Sequence, residues 1–279
     1  MLGAEASAEL PGERAVEGAR TPGALVSRAT TATAPRHGNY ALEQVAFPSI
    51  RLELADNLYL PRDLAVPAPA VVLLGPFGYV KEHAPDQYGT RLADEGYVAL
   101  SFDCAHHGEG AGEPRQLVEP ARRIADVRAA IDLLAARPEV DAAALAALGI
   151  GEGAAELVHA AVADRRIQAV AAVAARFRDP ESDLERVAGD SPAARERTGD
   201  SMRLLEQRLA RARAAKRRFE ETGEVEYLPI TDAARPDVAL PGLAAWEWYA
   251  RRGGRGLARP LPLKAAQAVG AQHGGPARP

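Results

Sequence analysis

The run Ala70-Val71-Val72-Leu73-Leu74 is apolar at every position and stops at Gly75-Pro76. A strand with one wet face alternates in polarity, whereas a strand covered on both faces reads as one continuous apolar run. A second buried strand reads at Tyr97 to Phe102, broken only by Ser101, and further strands at Asp141 to Leu148, leading into Gly149, and at Ile167 to Ala174. Helical patterns lie between these runs, at His83 to Glu95, Pro120 to Arg137 and Ala154 to Ala163. In the longest of them Ile124, Val127, Ile131 and Leu134 form one apolar stripe, with Arg122, Arg123 and Arg128 read as largely off it. Strand and helix alternate from residue 70 to 174. This predicts an α/β fold with a doubly wound, mostly parallel sheet and helices on both faces. In such sheets chemistry sits at the carboxyl ends of the strands.

The flanks read differently. Leu42 to Phe47, Ile50 to Leu54 and Asn57 to Pro61 predict two or three antiparallel strands, a hairpin ahead of the parallel sheet. After Ala174 the alternation stops. Residues 181–222 are helical in character, and Arg203, Arg208, Arg211, Arg213, Lys216, Arg217 and Arg218 stand against the single acid Glu206 in one stretch. They are read as a solvated helix face, and Trp246, Trp248 and Tyr249 as packing a helical cap onto the core. The expected domains are a disordered arm (1–38), an α/β core (39–178), a helical cap region (179–252) and a low-complexity tail without a strand (253–279). The change to Gly, Arg, Pro and Ala at Gly253 and the missing end of the sheet suggest an altered or incomplete C-terminal part, as a frameshift would produce. A short sheet leaves an unpaired edge and a route to self-association.

Composition narrows the function. Hydrophobic residues make up 47% of 279, enough for a sizeable core. Lys+Arg total 34 and Asp+Glu 38, a net charge of -4 that provides no field for nucleic acid. One cysteine excludes a disulfide framework. No apolar run reaches the roughly 18–20 residues of a membrane span, and Glu5, Glu9, Glu13 and Arg14 break up any signal core. A cytoplasmic protein that binds neither nucleic acid nor membrane is expected, with no cofactor.

The third buried strand runs into Gly149-Ile150-Gly151-Glu152-Gly153 and then into a helix. Strand, Gly-x-nucleophile-x-Gly, helix is the layout of a nucleophile elbow, in which the central residue takes strained dihedrals and projects toward substrate. Here the centre is Gly151, so the frame is present and the nucleophile position is vacant. Gly75-Pro76-Phe77-Gly78 follows the first buried strand, where an oxyanion donor is expected. Pro76 has no amide hydrogen, which leaves Phe77 or Gly78, with Glu152 as the second backbone donor. The second strand leads into Asp103-Cys104-Ala105-His106-His107-Gly108-Glu109-Gly110-Ala111-Gly112, then Glu113-Pro114-Arg115. Asp103, Cys104 and His107 are the candidate pocket-loop residues. Cys104 follows a strand at the active edge but lacks an elbow. Asp103, His106, His107 and Glu109, with His83, have metal-ligand chemistry, but adjacent histidines on an extended chain point opposite ways, so no metal is expected.

These motifs resemble the α/β-hydrolase superfamily. More narrowly, the chain is similar over about residues 40–178 to the bacterial dienelactone-hydrolase and acyl-peptidase-like branch. That branch carries a strand ending in Gly-Pro-Phe-Gly, a loop Asp-Tyr-Arg-Gly-His-Gly-x-Ser-x-Gly-x-Pro-Arg, and an elbow Gly-Ile-Cys-x-Gly-Gly or its serine version. Asp103, His107, Gly108, Gly112, Pro114 and Arg115 fall on the loop; Gly149, Ile150 and Gly153 fall on the elbow. The resemblance implies an acyl hydrolase acting on a small ester, thioester or amide. Two departures bear on that. Gly151 stands where the branch has its nucleophile. Past the elbow only His159 and His273 are histidines, and Asp232 and Asp237 are acids by position alone. The expected function is an acyl hydrolase by descent that is catalytically impaired. The alternative is a non-catalytic protein that binds through the vestigial pocket.

Overall fold

The computed structural model describes residues 38–64, 67–177, 198–229 and 238, and the backbone of 266–268. The expectations for 1–37, for Trp246, Trp248 and Tyr249, and for Asp232, Asp237 and His273 lie outside the described residues.

The chain begins with β1 (Tyr40–Ser49), β2 (Leu52–Pro61) and β3 (Ala68–Leu74), followed by α1 (Ala84–Asp94) and β4 (Val98–Asp103). Then come α2 (Pro120–Ala135), β5 (Val140–Ile150), α3 (Glu152–Ala163) and β6 (Ile167–Val173). Strand order is β1-β2-β4-β3-β5-β6. β1 and β2 pair antiparallel and β2 joins β4 antiparallel, while β3 pairs parallel with both β4 and β5, and β5 with β6. The opening segment is one hairpin of two long strands, not three short ones. Pro48 remains inside β1, opposite Glu53. A proline is tolerated there because β1 ends the sheet among the described residues.

The continuous run in β3 is explained by its two faces. Val72 and Leu74 pack into one core with Leu54, Leu58, Leu100 and Phe102, under Val127, Ile131, Leu134 and Leu157 of α2 and α3. Val71 and Leu73 point the other way, toward Tyr59, Ala99 and Ala93 of α1. Every second residue thus enters a different core, and neither face is left to water.

Two sequence expectations are corrected. Arg123 does not lie off the apolar stripe; it is 2% exposed and bonds Glu156 of α3 through Nη1 at 3.2 Å. It sits four residues before Val127 and eight before Ile131, so it belongs to the inward face, and its charge is tolerated because Glu156 opposes it. The tail also contributes a strand. Beyond α4 (Thr198–Thr222), β7 (Tyr227–Pro229) pairs antiparallel with β8 (Ala266–Ala268). A three-residue ladder is held by main-chain hydrogen bonds, so Ala-Gln-Ala needs no alternating pattern to join it. On α4 Arg203, Arg211, Arg213, Lys216, Arg217 and Arg218 are all exposed, and Arg211 and Arg218 also pair with Glu226.

Candidate active site

The turn from β5 into α3 is built by close approach. A β-carbon on Gly153 would lie 2.5 Å from the Gly75 carbonyl oxygen and 2.8 Å from that of Leu74. One on Gly149 would lie 2.4 Å from the Ala154 α-carbon. Hydrogen alone lets α3 settle against the end of β3. Between them Gly151 holds φ 60 and ψ -123 as the N-cap of α3, with no side-chain cap. Side chains rarely adopt this backbone, and in enzymes such strain clusters at functional residues. Gly151 donates its N–H to the Val173 carbonyl at 2.9 Å and accepts from Arg176 N–H at 3.0 Å, so the turn is held by the end of β6 and the residues just after it.

The loop after β3 packs onto this turn. A β-carbon on Gly151 would lie 3.0 Å from Pro76 Cβ and 3.5 Å from its Cα. Tyr79 N–H bonds the Pro76 carbonyl at 3.1 Å, which closes a tight turn through Phe77 and Gly78, the latter at φ 67. Phe77 is buried against Val118, and Glu152 opens the first turn of α3. The fold thus brings together the 75–78 loop, Gly151 and the start of α3. We expect Gly153→Ala to destabilise the protein by about 1–3 kcal/mol, because the new methyl meets main-chain oxygens that cannot rotate away. A urea midpoint equal to that of the parent would contradict this close packing.

The loop after β4 is braced from within. Asp103, Cys104 and His107 are all buried. Asp103 Oδ1 accepts from Lys81 N–H at 2.8 Å; its Oδ2 accepts from Lys81 Nζ at 2.8 Å and from Glu109 N–H at 3.0 Å. Burial works against the charge on Lys81, but the Asp103 and Glu109 carboxylates outweigh it and hold the ammonium above the usual lysine range. Arg115 clamps the far side, donating from Nη1 to the Gly110 and Gly112 carbonyls at 2.6 and 3.0 Å and from Nη2 to Gly108 at 2.7 Å. Both charged ends of the loop motif therefore serve to hold the loop's shape.

Cys104 is 1% exposed, 3.4 Å from the Tyr79 hydroxyl, and burial pushes its thiol up to about 12. It is a neutral thiol at physiological pH and a poor nucleophile. His106 Nδ1 contacts the Pro114 carbonyl at 3.1 Å and His107 Nδ1 the Ala105 carbonyl at 3.0 Å. His159 is exposed on α3. Among the described residues no histidine is hydrogen-bonded to a carboxylate, so the orienting half of a triad is not found there.

Burial, with Arg123 nearby, pushes His107 down to about 3. Its folded value lies below the unfolded one of about 6.5. The stability this provides is complete above that unfolded value and is lost as pH falls toward 3. We expect unfolding free energy to fall by up to about 1.4 kcal/mol per pH unit from this group over that window. His83 and His106 are also lowered by burial and add with the same sign. His107→Gln should flatten the slope, and an unchanged slope would show that His107 is not held neutral.

Lys81 and Arg123 were not singled out from the sequence. The i, i+4 spacing of Arg123, Val127 and Ile131 was a usable signal for the second. The adjacent Glu82 pairs with Lys81 at 3.2 Å, but nothing near Lys81 in the sequence announces its other two partners, which come from 22 and 28 residues away.

No family model matches the chain. Over 106 residues it is 42% identical to the uncharacterized protein YcjY of Escherichia coli, covering 38% of this chain and 35% of that protein. Over 179 residues it is 32% identical to the uncharacterized protein PA2218 of Pseudomonas aeruginosa, covering 64% and 46%. Over 122 residues it is 31% identical to the thiohydrolase aneE of Aspergillus aculeatus, covering 44% and 37%. The chain spans about a third to a half of the length of these curated relatives. The crystal structure of PA2218 superposes with a TM-score of 0.67 at 24% identity, covering 85% of this chain and 71% of that one. The α/β hydrolase GrgF of Penicillium sp. sh18 superposes at 0.59 and 21% identity, covering 82% and 71%. With this sheet order and these neighbours, the chain has the α/β-hydrolase fold.

Proposed function

We propose that this chain descends from an acyl hydrolase, forms no acyl-enzyme, and keeps its pocket as a binding site for a small acyl compound. The observation that carries the reading is Gly151. It sits at φ 60 and ψ -123 between β5 and α3, against Pro76, and has no side chain to attack a carbonyl. Backbone N–H groups at the start of α3, with Phe77 or Gly78, are the donors for an acyl oxygen. Cys104 does not replace the nucleophile, being buried and protonated. A relative that is named a thiohydrolase favours a thioester-like acyl group.

Titration calorimetry with a thioether analogue of a short acyl thioester tests the binding half of this reading. Saturable binding is expected in the parent. It should be lost in Gly151→Phe, whose ring would occupy the space beside Pro76, with the fold checked by far-UV circular dichroism. No binding by the parent, or equal binding by the variant, would overturn it.

A further inference from the structure

Two buried side chains behind the turn have polar atoms without protein partners. Arg123 is 2% exposed, and its Nε and Nη2 have no hydrogen-bond partner; Nη1 is taken by Glu156. His107 is also 2% exposed, and its Nε2 has none. A carbonyl oxygen only accepts, so the contact of His107 Nδ1 with Ala105 O fixes the ring proton on Nδ1. Nε2 is therefore a lone-pair acceptor, while the guanidinium nitrogens only donate.

Both side chains are tied to the same short stretch of chain. His107 N–H bonds Cys104 O at 3.0 Å, and its ring bonds Ala105 O. The Tyr79 ring lies 5.8 Å from Arg123 Cζ, and its hydroxyl reaches Cys104 Sγ at 3.4 Å. Asp126, three residues along α2 from Arg123, accepts the Ala105 N–H at 2.9 Å. An anion is repelled by the His107 lone pair and a cation by the guanidinium. A neutral hydroxyl that accepts from one and donates to the other suits both.

We propose that an internal water site joins Arg123 to His107, with the water accepting from Nε or Nη2 and donating to Nε2. The site links α2 to the loop after β4 and stands independently of the acyl-binding reading. It is tested on the full chain by a high-resolution crystal structure and by nitrogen NMR of the histidine rings. The expected result is an ordered solvent peak within hydrogen-bond distance of both side chains. His107 Nε2 should be unprotonated and accepting a hydrogen bond, with a cross-peak to long-lived water. His107→Phe should lose that cross-peak while keeping the far-UV spectrum. A direct Arg123–His107 bond, a protonated Nε2, no solvent between them, or a cross-peak surviving in His107→Phe would each overturn the proposal. The first three are read on the unaltered protein, so a variant that fails to fold leaves the test intact.

Discussion

Replacing Lys81 with methionine should lower the unfolding free energy by about 3–5 kcal/mol, the usual cost of removing one member of a buried ion pair. Both side chains of the Lys81–Asp103 pair are 1% exposed. Without the ammonium, the Asp103 carboxylate is left in the interior with only the Lys81 and Glu109 N–H groups. It must then take up a proton or draw in water. Glu109 offers the contrast. It also bonds Lys81 Nζ, but its side chain is 47% exposed, so Glu109→Gln should cost less than about 1 kcal/mol. Urea unfolding of the three proteins at neutral pH checks the ordering. Equal losses would mean that Lys81 is held by the surface acid and not by the buried one.

The fold was legible where physics is local. Continuous apolar runs bounded by glycine mark β3 and β4, because a strand covered on both faces has no polar side to alternate with. The β5–α3 turn was legible for a similar reason: only glycines permit the approach of α3 to the end of β3 seen at Gly149 and Gly153. What could not be read were contacts made across the sheet. Lys81 looks like a surface residue until Asp103 and Glu109 are folded over it. Arg123 looked like part of the polar face because a charge is presumed to be outside, although its spacing placed it on the apolar stripe. The β7–β8 pairing had no side-chain pattern to find, since main-chain groups hold it. Of the candidate site, the strand-to-helix turn around Gly151 could be read from the sequence. The roles of the β4 loop residues could not, because Asp103 is bound to Lys81 from another segment and Arg115 acts on the carbonyls of its own loop.

The larger expected effect concerns chemistry. Removing the nucleophile from a triad lowers kcat by on the order of 10⁶, while oxyanion donors and binding retain about 10³–10⁴ over the reaction in water. On the proposed reading, Gly151 places this chain in that second regime. Gly151→Ser should restore little. Its β-carbon would lie 3.0 Å from Pro76 Cβ and the residue would have to hold φ 60, so the substitution carries backbone strain as well. Among the described residues no histidine paired with a carboxylate is present to take its proton. A gain of less than about tenfold over the parent is expected, since nucleophile and base act as a unit. A gain of several orders of magnitude would reveal a working base, and the reading of this chain as impaired would then hold for Gly151 alone.

The most direct test mixes the unaltered chain rapidly with nitrophenyl acetate and, separately, with a short acyl thioester, following product release while intact mass is recorded. We predict no burst, no mass increase matching an acyl group, and turnover no faster than backbone donors alone would support. A burst equal to the protein concentration, together with an acyl adduct on the chain, would show that a nucleophile is present and would contradict the account.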